Sequence, residues 1–303
     1  MKTKSLIFSF ITTALICCLI ISCGSEKTKS ASFDYFGLTL PGNTPEPFAP
    51  GLISVKDVKD AALAISPAGD EVFFVRGTWP ATRIMHMERS ESGWSEPDTA
   101  MFSQDCWTTE PAFSPDGQYL YFSSSKGKSY ITNYSLWRIR KTDAGWSEPE
   151  SLFDIGGSSV WEFHPSVSSD GSLFFCWWDT TKMVGDIYVS QCNDEGCSDP
   201  VRLGGLVNTE STDADPYADP DGGYIIYSSA RSGGYGMLDN YISFRKADGT
   251  WTDPENMGYE FNTEKDDYDL DISPDGRYVL LYLNDDIYWR QTGDVIEKLR
   301  ESR

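Results

Sequence analysis

One turn recurs five times along the chain, and that recurrence limits the fold more than any other feature. It reads Ala64-Ile65-Ser66-Pro67-Ala68-Gly69, Phe113-Ser114-Pro115-Asp116-Gly117, Val167-Ser168-Ser169-Asp170-Gly171, Ala218-Asp219-Pro220-Asp221-Gly222 and Ile272-Ser273-Pro274-Asp275-Gly276. The period is about fifty residues with strand signals throughout, which points to a propeller rather than a helical solenoid. A β-rich run follows each turn, as in Tyr119 to Ser123 and Tyr224 to Ser228. A third strand follows, clearest in Asp186 to Ser190, and then a hairpin leads into Trp94-Ser95-Glu96-Pro97 or its counterparts Trp146-Ser147-Glu148-Pro149, Ser198-Asp199-Pro200 and Trp251-Thr252-Asp253-Pro254. Four strands per unit make one blade. The turn itself needs no function: Pro presets φ at the first corner, Asp tolerates the second, and Gly accepts positive φ. The prediction is an all-β chain whose residues 33–303 form a single propeller of five four-stranded blades.

Closing such a ring requires a strand from the other terminus, or an edge stays open. Pro45 to Ile53 lies in register with the Trp-Ser-Glu-Pro element, and so does Asp294 to Arg300. Both cannot fill one place, and Val295 to Leu299 reads equally as a terminal helix.

The first 22 residues read as an export signal. Lys2 and Lys4 form a basic start, Leu6 to Ile21 is apolar with few polar interruptions, and a small residue ends the run. This is a secretory pattern rather than a membrane span. Ile20-Ile21-Ser22-Cys23 resembles the lipobox of bacterial lipoproteins. The resemblance implies cleavage before Cys23, its lipidation, and stable anchoring to a membrane by acyl chains. The alternative is an ordinary cleaved signal with an incidental Cys23. Residues 23–32 would then be the lipidated cysteine and a small, polar tether.

The five repeats are similar to the WD40-like repeats of TolB-type propellers over Phe33 to Tyr288. The lead-in Tyr35-Phe36-Gly37, Pro41-Gly42 and Phe48-Ala49-Pro50-Gly51 looks like the opening of envelope lipoproteins of this type in Bacteroidetes, and Ser229-Ala230-Arg231-Ser232-Gly233-Gly234-Tyr235-Gly236 resembles a loop common in these repeats. TolB-type domains have six blades as a rule, so six is the alternative to the five units visible here. The resemblance implies a cell-envelope location, as an outer-membrane lipoprotein facing either the periplasm or the outside. It does not carry over a function, because the fold hosts binders, enzymes and scaffolds alike.

Chemistry is expected where the first strand of each blade begins, around the channel mouth. Nine residues before each turn glycine stand Asp60, Thr108, Glu162, Asp213 and Asp267; seven before it stand Ala62, Glu110, His164, Asp215 and Asp269. Positions two apart on a strand share a face, so these columns predict one ring of carboxylates with a single imidazole. Trp107 and Trp161, one position earlier, could stack on a sugar or close a lid. Three readings stay open: solvated or loop-capping acids; a cation or polyol site, with calcium the candidate because converging carboxylates repel; and acid/base hydrolysis by two carboxylates. Arg231 is either a clamp for an anionic sugar or, more simply, a solvated loop residue, and His86 reads as a partly buried strand residue.

The chain carries a formal charge of −21 over 303 residues, and losing Lys2 and Lys4 makes it more acidic still. Such a surface argues against nucleic acid and against charge-driven docking on anionic lipid. Cys192 and Cys197 flank a hairpin where other blades carry Arg89 and Trp94, Lys141 and Trp146, or Lys246 and Trp251. Cross-strand positions bring side chains together, predicting a disulfide here in an oxidising compartment and cation–π pairs in the others. Cys106 and Cys176 have no evident partner. The functional expectation is a non-catalytic binding or scaffold lipoprotein, with a glycan, cation or envelope protein at the acidic mouth and no cofactor required. The alternative is a carbohydrate-active enzyme using the same carboxylates.

Overall fold

The computed structural model describes residues 33–127, 134–153 and 159–302, so the export signal, Cys23 and the tether lie outside the described residues. Five antiparallel sheets follow one another as blades of a propeller. The first is typical: Asp60–Ile65, Glu71–Thr78 and Ala81–Ser90 pair in order, and Gly93–Trp94 and Asp98–Thr99 form a split outer strand on the third. Blades two, three and four begin at Thr108–Phe113, Val160–Val167 and Asp213–Ala218.

The fifth blade settles how the ring closes. Its own strands are Asp271–Ile272, Tyr278–Leu283 and Asp286–Gln291, and the fourth is Glu46–Pro47, paired as Glu46 with Trp289 and Pro47 with Tyr288. Phe48 N then donates to Ile287 O at 2.9 Å, and Phe48 and Ile53 are fully buried beside Trp289. The N-terminal segment therefore takes the place that Asp294 to Arg300 could also have filled. Val295–Glu301 is instead a short helix that tucks Ile296 against blades four and five.

The repeated turn is held by its own side chains. Ser114 Oγ donates to Asp116 Oδ1 at 2.6 Å and accepts from Tyr119 N at 2.9 Å; Ser273, Asp275 and Tyr278 repeat the pattern. Gly117 sits at φ +70°, a region that costs glycine little. Large side chains fill the gaps between adjacent blades as five buried clusters, such as Phe73, Val75, Leu120 and Phe122 between the first two. Each blade thus buries its faces only against its neighbours.

Cys192 and Cys197 are cross-strand partners and form the expected disulfide. Of the cation–π pairs, Lys141 lies over Trp146 at 5.6 Å. In the first blade Arg89 pairs with Asp34 and Trp94 stacks on Phe36, so the N-terminal segment engages both. The fourth blade departs from expectation: Trp251 bridges Arg245, not Lys246, because its hairpin is longer by one residue. Among the described residues no helix is long and apolar enough to cross a membrane.

Candidate functional site

The two acidic columns separate into different structures. Glu110, His164, Asp215 and Asp269, with Ala62, all have positive φ, between 43° and 58°. In the first four blades the strand pairing slips at this point, between Ala61 and Ala64, Thr109 and Ala112, Phe163 and Ser166, and Ala214 and Tyr217. A bulge of this kind re-aims one side chain and breaks the alternation of faces. It turns the column seven before the glycine into the channel and leaves the column nine before it elsewhere.

That outer column is buried and committed to holding neighbouring strands and loops. Asp60 pairs with Arg76 at 2.7 Å, Thr108 Oγ1 accepts from Ile84 N, and Glu162 Oε2 accepts from Leu136 N. Asp213 accepts from Thr209 N and Ser229 Oγ and pairs with Arg231 at 3.0 Å; Asp267 accepts from Thr263 N. Burial raises the Asp60 and Asp267 carboxyls above their ordinary values despite these bonds. The single mouth ring inferred from the sequence is therefore two tiers, and Asp60, Glu162, Asp213 and Asp267 do not join the channel cluster. Arg231 is neither clamp nor solvated: it also donates to Val207 O and Tyr227 Oη and is largely buried. His86 stacks on Phe73 at 4.3 Å, as a strand residue would.

The inner column meets on one imidazole. His164 Nε2 lies 3.1 Å from Glu110 Oε1 and 3.2 Å from Asp215 Oδ1, and Nδ1 lies 3.8 Å from Asp269 Oδ1. Glu110 Oε2 accepts from His164 N at 2.8 Å and from Ser123 Oγ at 3.2 Å, while Asp215 Oδ2 accepts from Ser228 Oγ at 2.6 Å. Burial alone would lower the imidazole pKa, but Glu110, Asp215 and Asp269 together hold it well above the usual histidine range. Three carboxylates around one ring therefore favour the imidazolium form. Asp271, half-buried two residues beyond Asp269, lies beside the same groups. Burial and mutual repulsion push Asp269 up to about 7 and Asp271 up to about 6, with His164 opposing both. Asp271 was not anticipated, although it is the one charged residue in a column otherwise holding Ala64, Ala112, Ser166 and Tyr217.

Above this cluster opens a cleft of about 450 Å³, within the size range of small-molecule sites. Its aromatic walls are Trp79, Trp161, Phe163, Trp178 and Tyr268, and its acidic groups are Glu110, Asp215 and Asp266 around His164. Trp79 reaches in from the turn between the second and third strands of the first blade, 5.6 Å from Phe163 and 6.2 Å from Trp161. Trp161 therefore lines the cleft. Trp107 does not, because the Arg83 guanidinium lies 3.6 Å over its ring. Trp79, Trp178, Tyr268 and Asp266 lie outside the two columns and were missed. Cys176, a buried free thiol at the cleft wall, has its pKa raised by burial and by Asp215 and Glu110, which disfavours its thiolate. Among the described residues no group of three or more His, Cys, Asp or Glu is disposed to hold a metal ion.

No family profile matches the chain, and no curated relative does either. Solved propellers do. An α-L-arabinofuranosidase from Lactobacillus brevis aligns at 12% identity and a TM-score of 0.50, covering 76% of this chain and 84% of that one. The gluconolactonase XC5397 from Xanthomonas campestris aligns at 11% identity and 0.43, covering 84% and 96%. A post-proline cleaving enzyme from Rickettsia typhi aligns at 12% identity and 0.42 over 78% of this chain, which spans only 33% of that enzyme's length. At these identities the likeness is one of fold. The chain is a five-bladed β-propeller.

Proposed function

We propose that this chain is a lipoprotein of the TolB-like repeat type, tethered to an envelope membrane through Cys23, that binds a ligand in the mouth cleft without transforming it. The observation that carries the reading is the bonding of the two carboxylates on the cleft floor. Both Glu110 and Asp215 engage the same His164 Nε2, and the second oxygen of each accepts a further hydrogen bond. A pair of glycosidic catalysts would instead flank a bond, one as a proton donor and one as an ionised partner. The fixed floor beneath aromatic walls suits recognition. In this reading His164 supplies the positive charge for which converging carboxylates would otherwise recruit calcium, so no metal is needed.

The test is a panel of oligosaccharides and small polar ligands offered to the purified mature protein, followed by tryptophan fluorescence and by product analysis. Binding that shifts the fluorescence, with no turnover, is the expected result. Hydrolysis or elimination of an oligosaccharide that disappears in Glu110→Gln or Asp215→Asn alone would establish the enzyme reading in its place.

A further inference from the structure

The chemistry of the cleft selects among ligand classes. Among the described residues lining it there is no lysine or arginine, and its one cation, His164, is already paired with Glu110 and Asp215. Asp266, exposed at the rim, adds acid with no basic neighbour in that lining. The polar atoms on offer are therefore mainly acceptors carrying excess negative charge, while the walls are the faces of Trp79, Trp161, Phe163, Trp178 and Tyr268. Aromatic faces attract cations through the ring quadrupole, most strongly when water is excluded, and tryptophan does so best. Carboxylates beyond the rings add charge attraction. The −21 charge of the chain would draw a cation toward the mouth over a longer range. The same stretch of chain already uses this interaction internally, where Arg83 covers Trp107 at 3.6 Å.

We infer that the mouth cleft binds an organic ammonium ion, its alkyl or methyl groups against the tryptophan walls and its charge toward Asp266, Asp215 and Glu110. The inference rests on the binding reading above and narrows its ligand. A neutral sugar would stack on the same rings but would leave the excess negative charge uncompensated. An anion is repelled.

The probes are choline and butylammonium, each beside a neutral analogue of the same shape, with a neutral xylo-oligosaccharide as the competing class. Binding is followed by tryptophan fluorescence and calorimetry on the mature protein. The expected result is that at least one ammonium probe binds about tenfold or more tightly than its neutral analogue, the scale of a desolvated cation–π contact. Trp79→Ala and Asp266→Asn alter exposed rim residues and should each weaken that binding about five- to tenfold while the circular dichroism spectrum stays unchanged. Equal binding of the neutral analogue, or binding of the oligosaccharide with no response to either ammonium, overturns the inference and leaves the binding reading standing. Silence from every probe here also overturns it, and the broader ligand panel then decides the binding reading by itself.

Discussion

Replacing His164 with glutamine removes the only positive charge among the described residues of the channel cluster while keeping a side chain of similar reach. Glu110 and Asp215 would then face each other without the imidazolium that both engage, and Asp269 would lose its nearest cation. The His164 side chain is only 17% exposed, so water screens little of this loss. Removing one partner from a buried ion pair costs about 3–5 kcal/mol, equivalent here to a fall on the order of 10 °C in Tm. The sign with pH follows from the protons held. His164 has a raised pKa, so its stabilisation is complete below the ordinary histidine value and fades as pH rises through the folded value. Asp269 and Asp271 keep protons in the fold up to about 7 and about 6, which the unfolded chain releases nearer 3.8. All three groups therefore make this region less stable as pH rises. In His164→Gln the deficit should be full below about pH 6, where the lost imidazolium contributes all of its stabilisation, and should shrink as pH rises through the folded His164 value. Urea unfolding of both proteins across this range measures it, and adding Asp269→Asn to the variant should raise its stability at alkaline pH. A deficit that does not change with pH would mean that His164 acts by packing alone, and the electrostatic account would be refuted.

Three further outcomes follow from the fold and the leader. Phe48→Ala should cost about 3–5 kcal/mol in chemical denaturation, because a fully buried ring is lost from the segment that closes the fifth blade; a cost below about 1 kcal/mol would mean that the closure is dispensable. Cys192→Ser with Cys197→Ser should lower stability by only about 1–2 kcal/mol, since so short a loop restrains the unfolded chain little, and ligand binding should survive. Cys23→Ser should abolish acylation and release the protein from the membrane fraction of the producing cell; continued acylation in that variant, read by mass spectrometry, would contradict the lipobox assignment.

The fold was legible because a propeller writes itself five times: the turn, the strand runs and the hairpin each recur at equivalent places. Closure was not, because Pro45 to Ile53 and Asp294 to Arg300 fit one register equally well, and only packing of Phe48 and Ile53 against the fifth blade separates them. The column of Glu110, His164, Asp215 and Asp269 was legible for the same periodic reason. Its merger with the column of Asp60, Glu162, Asp213 and Asp267 failed because strand alternation was assumed through a bulge. The sequence carried a hint of that bulge in Pro111, Pro165 and Pro216, each directly after the positive-φ residue, since proline inside a strand marks a break in the ladder. Asp266 was within reach, since it stands ten before Gly276 in the position that Trp107 and Trp161 hold in their blades; Trp79 was not, because it reaches the cleft from a turn outside the columns that were compared. Asp271 was within reach as a lone acid in its column.

The central claim is that an imidazolium organises the acids beneath the cleft, and the chain holds just two histidines with which to test it. Proton–nitrogen correlation spectra of protein labelled at histidine, recorded as pH is raised and assigned with a His86→Gln variant, report the protonation of each ring directly. The account predicts that the His164 signals stay those of the charged ring as pH passes well beyond 6.5, with both nitrogens protonated. A His164 ring that titrates at or below 6.5 would contradict it.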